Sequence, residues 1–311
     1  MSTLKFILLF TIFPGFIFSS CVGLIAGWID RKVTARIQWR VGPPWYQNFV
    51  DAAKLLFYKE TLIPKGAMPI VFLGMPALGL AAATLASTII LLVFGSPRSG
   101  FVGDIIVIVY LLMIPSISII FGALSSQNPL ASIGASREIK LFLSYELPFI
   151  FALVVPIIKA NSIKLGQIIS VQASTGPFIE SISGALSFIA IILSIQAKMG
   201  LPPFDMPEAE TEIMAGAYIE YSGKPLGFLK LTKAVMLCAL PVFIVSLYFG
   251  GIVFDLEGIT ASVLQYLLII TIMVLVKNTN PRVRIDQALR FFWVIVTSIA
   301  ITAAVLAYAG F

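Results

Sequence analysis

Apolar stretches long enough to cross a bilayer recur from one end of this 311-residue chain to the other. That recurrence limits the fold more than any other feature. A helix needs about 20 apolar residues to span the hydrocarbon core, where only helices and closed barrels satisfy their own backbone polar groups. Eight segments qualify: about 5–29, 68–95, 102–124, 139–160, 179–198, 226–250, 259–277 and 288–309. Only 12% of residues are charged, against about 25% in a soluble domain. The expected fold class is therefore all-α: a polytopic membrane protein of eight transmembrane helices, one domain over residues 1–311. Pro76, Pro115, Pro148, Pro156 and Pro241 fall inside the spans, where membrane helices accept a kink. The first apolar run ends at Asp30-Arg31-Lys32 without a small-residue cleavage site, so it reads as a retained helix and not a signal peptide.

The loops at about 30–67, 125–138, 199–225 and 278–287, with the helix ends beside them, hold 17 of the 21 basic residues. The positive-inside rule puts this side in the cytoplasm and both termini outside the cell membrane. Basic anchors at an anionic lipid surface account for the net charge of +6 without nucleic acid. Residues 46–60 place Phe49, Val50, Ala53, Leu56 and Phe57 on one helical face, the pattern of an amphipathic helix at the interface. Its role is either anchoring, or flooring a cavity or docking a partner. Histidine is absent, and Cys21 and Cys238 each lie inside an apolar stretch. Iron–sulfur, haem and zinc sites are built largely from those two residue types, so no cofactor and no catalytic residue is expected in this chain.

Against this apolar background, residues 202–223 hold Asp205, Glu208, Glu210, Glu212 and Glu220. A carboxylate in or beside a bilayer costs several kcal/mol unless it is paired, protonated or wetted. Asp205 and Glu208 fit an acidic capping box with Pro207 in the first turn. Glu212 lies four residues beyond Glu208 on the same helical face, where like charges repel. The cluster thus points to proton handling or docking. Glu138 is expected near the interface, paired with Arg137 or Lys140. Glu146 lies about two turns deeper, among Leu141, Phe142, Leu143 and Leu147 and just before Pro148. An intramembrane carboxylate reads as a functional group, here a proton relay that Ser144 and Tyr145 serve with hydrogen bonds. The last loop, with Arg282, Arg284, Asp286 and Arg290, is either a helix cap and topology signal or a cationic wall facing the acids. No metal site is expected: Glu208 and Glu212 offer two oxygens, and no dedicated set of further ligands accompanies them. Arg282, Arg284 and Arg36 are the expected neutralisers.

Three segments, Ser136-Arg137-Glu138-Ile139-Lys140…Ser144-Tyr145-Glu146, PFDMPEAETE…EYSG at 203–223 and Asn280–Gln287, are joined by Asp30-Arg31-Lys32…Arg36…Arg40-Val41-Gly42-Pro43 and by Ala52…Lys54-Leu55-Leu56…Lys59-Glu60. Together they resemble the eight-helix, H-type membrane subunit of respiratory complex I and of the group 4 membrane-bound [NiFe]-hydrogenases. The likeness runs from about residue 30 to about residue 290. It implies a subunit that joins a peripheral redox arm to antiporter-like pumping subunits, with a lateral chain of charged residues starting here. By position that role falls on Glu138, Glu146, Asp205, Glu208, Glu210, Glu212 and Glu220, with Arg36, Arg40, Arg137, Arg282, Arg284 and Asp286 as charge partners. The implied partners are hydrogenase-like large and small subunits, an iron–sulfur subunit and antiporter-like subunits, which would carry the Fe–S clusters and any Ni–Fe centre. The run Gly42–Asp51 is several residues shorter than in the quinone-reducing branch, which counts against a quinone chamber. The pattern is similar to archaeal ferredoxin-linked complexes, a membrane-bound hydrogenase or sulfane reductase. The expected function is anchoring and coupling to proton or sodium translocation. Alternatives are a quinone-site subunit of a complex I-type dehydrogenase and a stand-alone cation transporter; against the last, no internal repeat is visible.

Overall fold

The computed structural model describes residues 3–252 and 256–310, with side chains for 7–209, 212–252 and 256–310. Each long apolar run forms a helix, the element that closes all its own backbone hydrogen bonds. In chain order these are α1 (Thr3–Thr11), α2 (Phe16–Ile37), α3 (Gln47–Ala53), α4 (Pro69–Gly95), α5 (Asp104–Ser125), α6 (Pro129–Ala160) and α7 (Leu165–Thr175). They are followed by α8 (Ile182–Lys198), α9 (Glu210–Ile213), α10 (Gly223–Tyr248), α11 (Leu256–Thr279), α12 (Ile285–Arg290) and α13 (Thr297–Tyr308). Among the described residues, seven spans are long and apolar enough to cross a membrane, and α8, with 17 residues, is a shorter eighth apolar helix. The first span covers Ile7–Ile37 and breaks between α1 and α2; the last joins α12 to α13 through a wide turn at Phe291–Val296. The all-α polytopic class holds, and the five expected prolines all sit inside helices.

Successive long helices alternate in direction, so the charged loops converge at one end of the bundle. Leu62 N donates to Ser222 Oγ at 2.9 Å, Met68 N to Ser125 O at 3.1 Å and Val283 N to Pro203 O at 3.2 Å, tying four connections together. At the other end Ile252 N donates to Phe94 O and Leu165 N to Asp104 Oδ1. The helix α10 is the central post, buried at almost every position from Leu231 to Tyr248. It packs on α2, where Gly23 lets the backbones meet: a Cβ there would lie 1.9 Å from Ala234 O. A small residue at the contact is the usual device for such close crossings in membranes, where packing rather than water expulsion holds helices together.

Three features differ from expectation. First, α6 begins ten residues earlier than the hydropathy suggests: Asn128 Oδ1 accepts from Leu130 N at 2.8 Å as an N-cap, with Pro129 at the first helical position. The expected loop at 125–138 shrinks accordingly. Second, α7 is a helix in a segment that had no expected structure. Third, the interfacial helix is α3 followed by a wide turn at Lys54–Tyr58. It meets the bundle through Asn48, Ala52 and Leu55, while Phe57 is 80% exposed. Asn48, Ala52 and Leu55 keep a regular helical spacing, so the face of Phe49, Val50, Ala53, Leu56 and Phe57 lies round from the bundle, with Val50 and Phe57 exposed.

Replacing Gly23 by Leu should force α2 off α10 and cost about 1–3 kcal/mol or more as an overpacked contact. A lowered melting temperature of the detergent-solubilised protein checks this; an unchanged one would contradict the crossing.

Candidate functional site

The two acids that enter the bundle both lie on α6. Glu138 and Glu146 are eight residues apart, roughly 12 Å along the axis, and both are buried. Glu146 Oε2 accepts from Lys198 Nζ at 2.7 Å, and the Lys198 side chain is wholly buried at the last position of α8. The ammonium also stands over the rings of Phe149, 4.5 Å from its centroid, and Tyr145, at 5.3 Å. Aromatic faces attract a desolvated cation. Glu146 Oε1, however, is buried with no hydrogen-bond partner. Ser144 and Tyr145 do not serve it as expected. Ser144 Oγ donates back to Lys140 O at 2.6 Å, and the Tyr145 hydroxyl shares a 2.9 Å hydrogen bond with Ser116 Oγ. Ser116 is also within hydrogen-bonding reach of Glu138. The line Glu138–Ser116–Tyr145 thus ends at the ring beneath Lys198.

Glu138 does not pair with Arg137 or Lys140: its side chain is buried, and Arg137 is taken by Glu212. It faces the acidic segment instead, near Glu208, Lys233 and Tyr218. Glu208 is paired with Lys233, whose ammonium lies 5.2 Å from the centroid of the Tyr218 ring. Burial, and after it the Glu208 and Glu138 carboxylates, push the Tyr218 phenol well above its usual range, so it remains a hydroxyl.

The acidic segment is not one helix. Met206–Glu208 is a 3₁₀ turn and α9 has only four residues, ending where Met214, Ala215 and Gly216 take φ values of 50°, 74° and 48°. A Cβ on Gly216 would meet Pro207 O at 2.2 Å, and one on Gly134 of α6 would meet Ala217 N at 2.4 Å. The segment is therefore pressed, backbone to backbone, onto the start of α6. Asp205 makes no side-chain cap; its Oδ2 pairs with Arg282 at 2.7 Å and its Oδ1 is buried unpaired. Glu208 and Glu212 do not share a face: Glu212 pairs with Arg137 at 2.6 Å. Glu220 Oε1 accepts from Asn128 Nδ2 at 2.5 Å. Glu210 opens α9, and its side chain lies outside the described residues. Of the expected charge partners, Arg282 and Arg137 pair with acids, while Arg36, Arg40, Arg284 and Asp286 join none of the six ion pairs among the described residues. Arg284 opens α12, its backbone N–H capped by Gln287.

A cavity of about 430 Å³ opens beside this network, between α2, α3, α10 and α11. Asp30, Asp51, Glu208, Tyr218 and Lys233 line its charged side, and Leu24, Leu237, Ile270 and Met273 its apolar side. Asn48, Asp51 and Ala52 of α3 contribute to the wall, so this helix floors a cavity. Among the described residues, no three thiol or carboxylate side chains converge as a metal-binding group.

Sequence reasoning missed Lys198, Lys233, Ser116 and Tyr218. Lys198 and Lys233 read as topology signals only. A lysine closing the otherwise apolar run IAIILSIQAK was the available hint that a buried acid awaited it.

Fold and site define a multi-pass helical membrane protein whose ionisable groups gather at one end and reach inward along a single helix. The chain belongs to the NADH dehydrogenase family, matching it over residues 9–308, and is of the H-type. It is 32% identical over 305 residues to the H-type subunit of the NADH-quinone oxidoreductase of Thermomicrobium roseum, covering 90% of this chain and 89% of that protein. The counterpart in Syntrophotalea carbinolica is 31% identical, with 99% of both chains covered. Among solved structures, a chain of the membrane-bound sulfane sulfur reductase, an archaeal respiratory membrane complex, superposes with a TM-score of 0.86 at 32% identity. The match covers 94% of this chain and 96% of that one. These relatives make the chain a membrane subunit of a redox-linked multi-subunit complex.

Removing one partner of a buried ion pair strands the other and typically costs 3–5 kcal/mol, whereas replacing both is far milder. Lys198→Met should therefore destabilise by about 3–5 kcal/mol, and Lys198→Met combined with Glu146→Gln should restore most of the loss. Thermal unfolding of Lys198→Met, of Glu146→Gln and of the double variant checks this; additive losses would show that the pair is not coupled.

Proposed function

We propose that this chain anchors and couples a ferredoxin-oxidising peripheral arm, of hydrogenase or sulfane reductase type, to proton or sodium translocation. The charged end faces the cytoplasm and both termini lie outside, in keeping with the basic loops. The observation that carries the reading is the buried Glu146–Lys198 pair, approached from the acidic loop by Glu138, Ser116 and Tyr145. In a low-dielectric interior, a charge change a few ångströms away moves a proton equilibrium far more than it does in water. A redox event that shifts a partner protein against the loop would change the pairing of Glu208 with Lys233. That field would act on Glu138, and through the Ser116–Tyr145 hydrogen bond on the Lys198–Glu146 pair. Pairs that exchange partners are the usual means by which such a local event biases a two-state element. The clusters themselves belong to partner subunits in this reading, with antiporter-like subunits continuing the path.

A second reading, a quinone-site subunit, is favoured by the names of the relatives and by the 430 Å³ cavity, whose size and mixed lining suit a small ligand. The shortened Gly42–Asp51 run weighs against it. Turnover of the purified complex with ferredoxin and no quinone separates the two.

Glu146→Gln should leave the complex assembled and still oxidising its donor, while ion uptake by inverted membrane vesicles falls to background. Normal uptake would remove Glu146 from the path. Glu208→Gln combined with Glu212→Gln should likewise lower ion uptake more than redox turnover. Recovery of that double variant on adding Mg²⁺ would argue for a metal site instead.

A further inference from the structure

The end of the bundle opposite the acids contains a second cavity, of about 640 Å³, which the coupling network does not touch. Its walls come from the break between α1 and α2, the first third of α2, the last turn of α4, the second half of α10 and the first half of α11. Those positions all fall in the membrane half remote from the charged loops. The lining is almost wholly apolar, with Val242 and Val245 of α10 at its back. The polar groups that reach it are already engaged. Ser262 Oγ donates to Gly258 O at 2.9 Å, the Tyr266 hydroxyl to Leu237 O at 3.2 Å and Ser96 Oγ to Leu92 O at 3.1 Å.

Water needs two to four polar partners to occupy a cavity; here the hydroxyl donors are spent on backbone carbonyls and the rest of the lining is almost wholly apolar. Leaving such a volume empty is costly in proportion to its size. At its rim, Phe13 and Val263 are 63% and 51% exposed, so the cavity opens sideways between the α1–α2 break and α11, towards the bilayer. From Cys238 to Val245 it extends roughly 10 Å along α10. Two residues past Ser96, at the level of the helix ends, Arg98 is exposed and takes part in none of the six ion pairs among the described residues. An arginine at that height suits a phosphate group.

We propose that this cavity is a structural lipid site: it takes a hydrocarbon chain of a membrane phospholipid, with the headgroup at Arg98. The chain supplies the packing that the broken first span lacks, and so fixes α1 and α2 against α10.

The test uses the intact complex in liposomes doped with phosphatidylglycerol that carries a photoreactive group near the end of one acyl chain. After illumination, mass spectrometry should find label on residues 91–96, 242–245 and 262–266. Val245→Trp and the milder Val242→Phe, each checked for assembly by size exclusion, should lower that labelling several-fold. Labelling at the lipid-exposed Ile106 and Val305 should stay unchanged. Arg98→Gln should lower labelling by the phosphatidylglycerol probe more than by a phosphatidylcholine probe. Wild-type complex labelled no more in the cavity than at Ile106, or filling variants without effect, would overturn the proposal. Displacement of the label by equimolar long-chain quinone would overturn it too, assigning the cavity to a quinone tail.

Discussion

A carboxylate and an ammonium held together inside an apolar bundle set the terms for the rest of this structure. Burying either alone would cost several kcal/mol, and their mutual attraction offsets that only when geometry and hydrogen bonding are both good. The Lys198–Glu146 contact has good geometry and two aromatic faces beneath the cation, yet it leaves Glu146 Oε1 unsatisfied. Hydrophobic residues of similar size would pack the same space at less cost. A pair kept under these conditions is weak evidence of stability alone, and it is where the proposed coupling would act.

The surrounding architecture brings such changes within reach. Because α6 starts at Pro129, its first turns stand among the loops and its middle enters the core, so one rigid element connects the two. Gly134 and Gly216 let the acidic segment rest directly on that helix. Every described acid of the segment has its own partner: Asp205 with Arg282, Glu208 with Lys233, Glu212 with Arg137 and Glu220 with Asn128. Pairs that are partly exposed contribute little stability, so exchanging them costs little. Cheap surface pairs thus border a costly buried one, and α6 joins them.

Much of the fold was legible because hydropathy and period report burial directly. The seven spans and the shorter apolar helix α8, the interior prolines and the acid-rich loop emerged from sequence alone, and Glu146 was singled out by its apolar neighbours. What stayed hidden depends on partners distant in sequence. Lys198 and Lys233 bear a generic topological charge until packing brings α8 and α10 against α6 and the loop. The start of α6 lies ten residues before the apolar run because hydropathy marks where lipid begins rather than where a helix begins. The Asn128-Pro129 pair held the better signal, an N-cap before a proline at the first helical position. The capping box at Asp205 failed because only a single 3₁₀ turn, Met206–Glu208, follows it before the chain leaves helical geometry at Ala209, so there is no α-helix at Asp205 to cap.

The central claim is that the Glu146–Lys198 pair changes protonation when the complex turns over. Infrared difference spectroscopy of the intact complex, recorded between its oxidised and reduced states, tests this most directly. The expected result is a carboxyl band in the difference spectrum that Glu146→Gln abolishes and Lys198→Met shifts. Difference spectra identical in wild type and both variants would contradict the account.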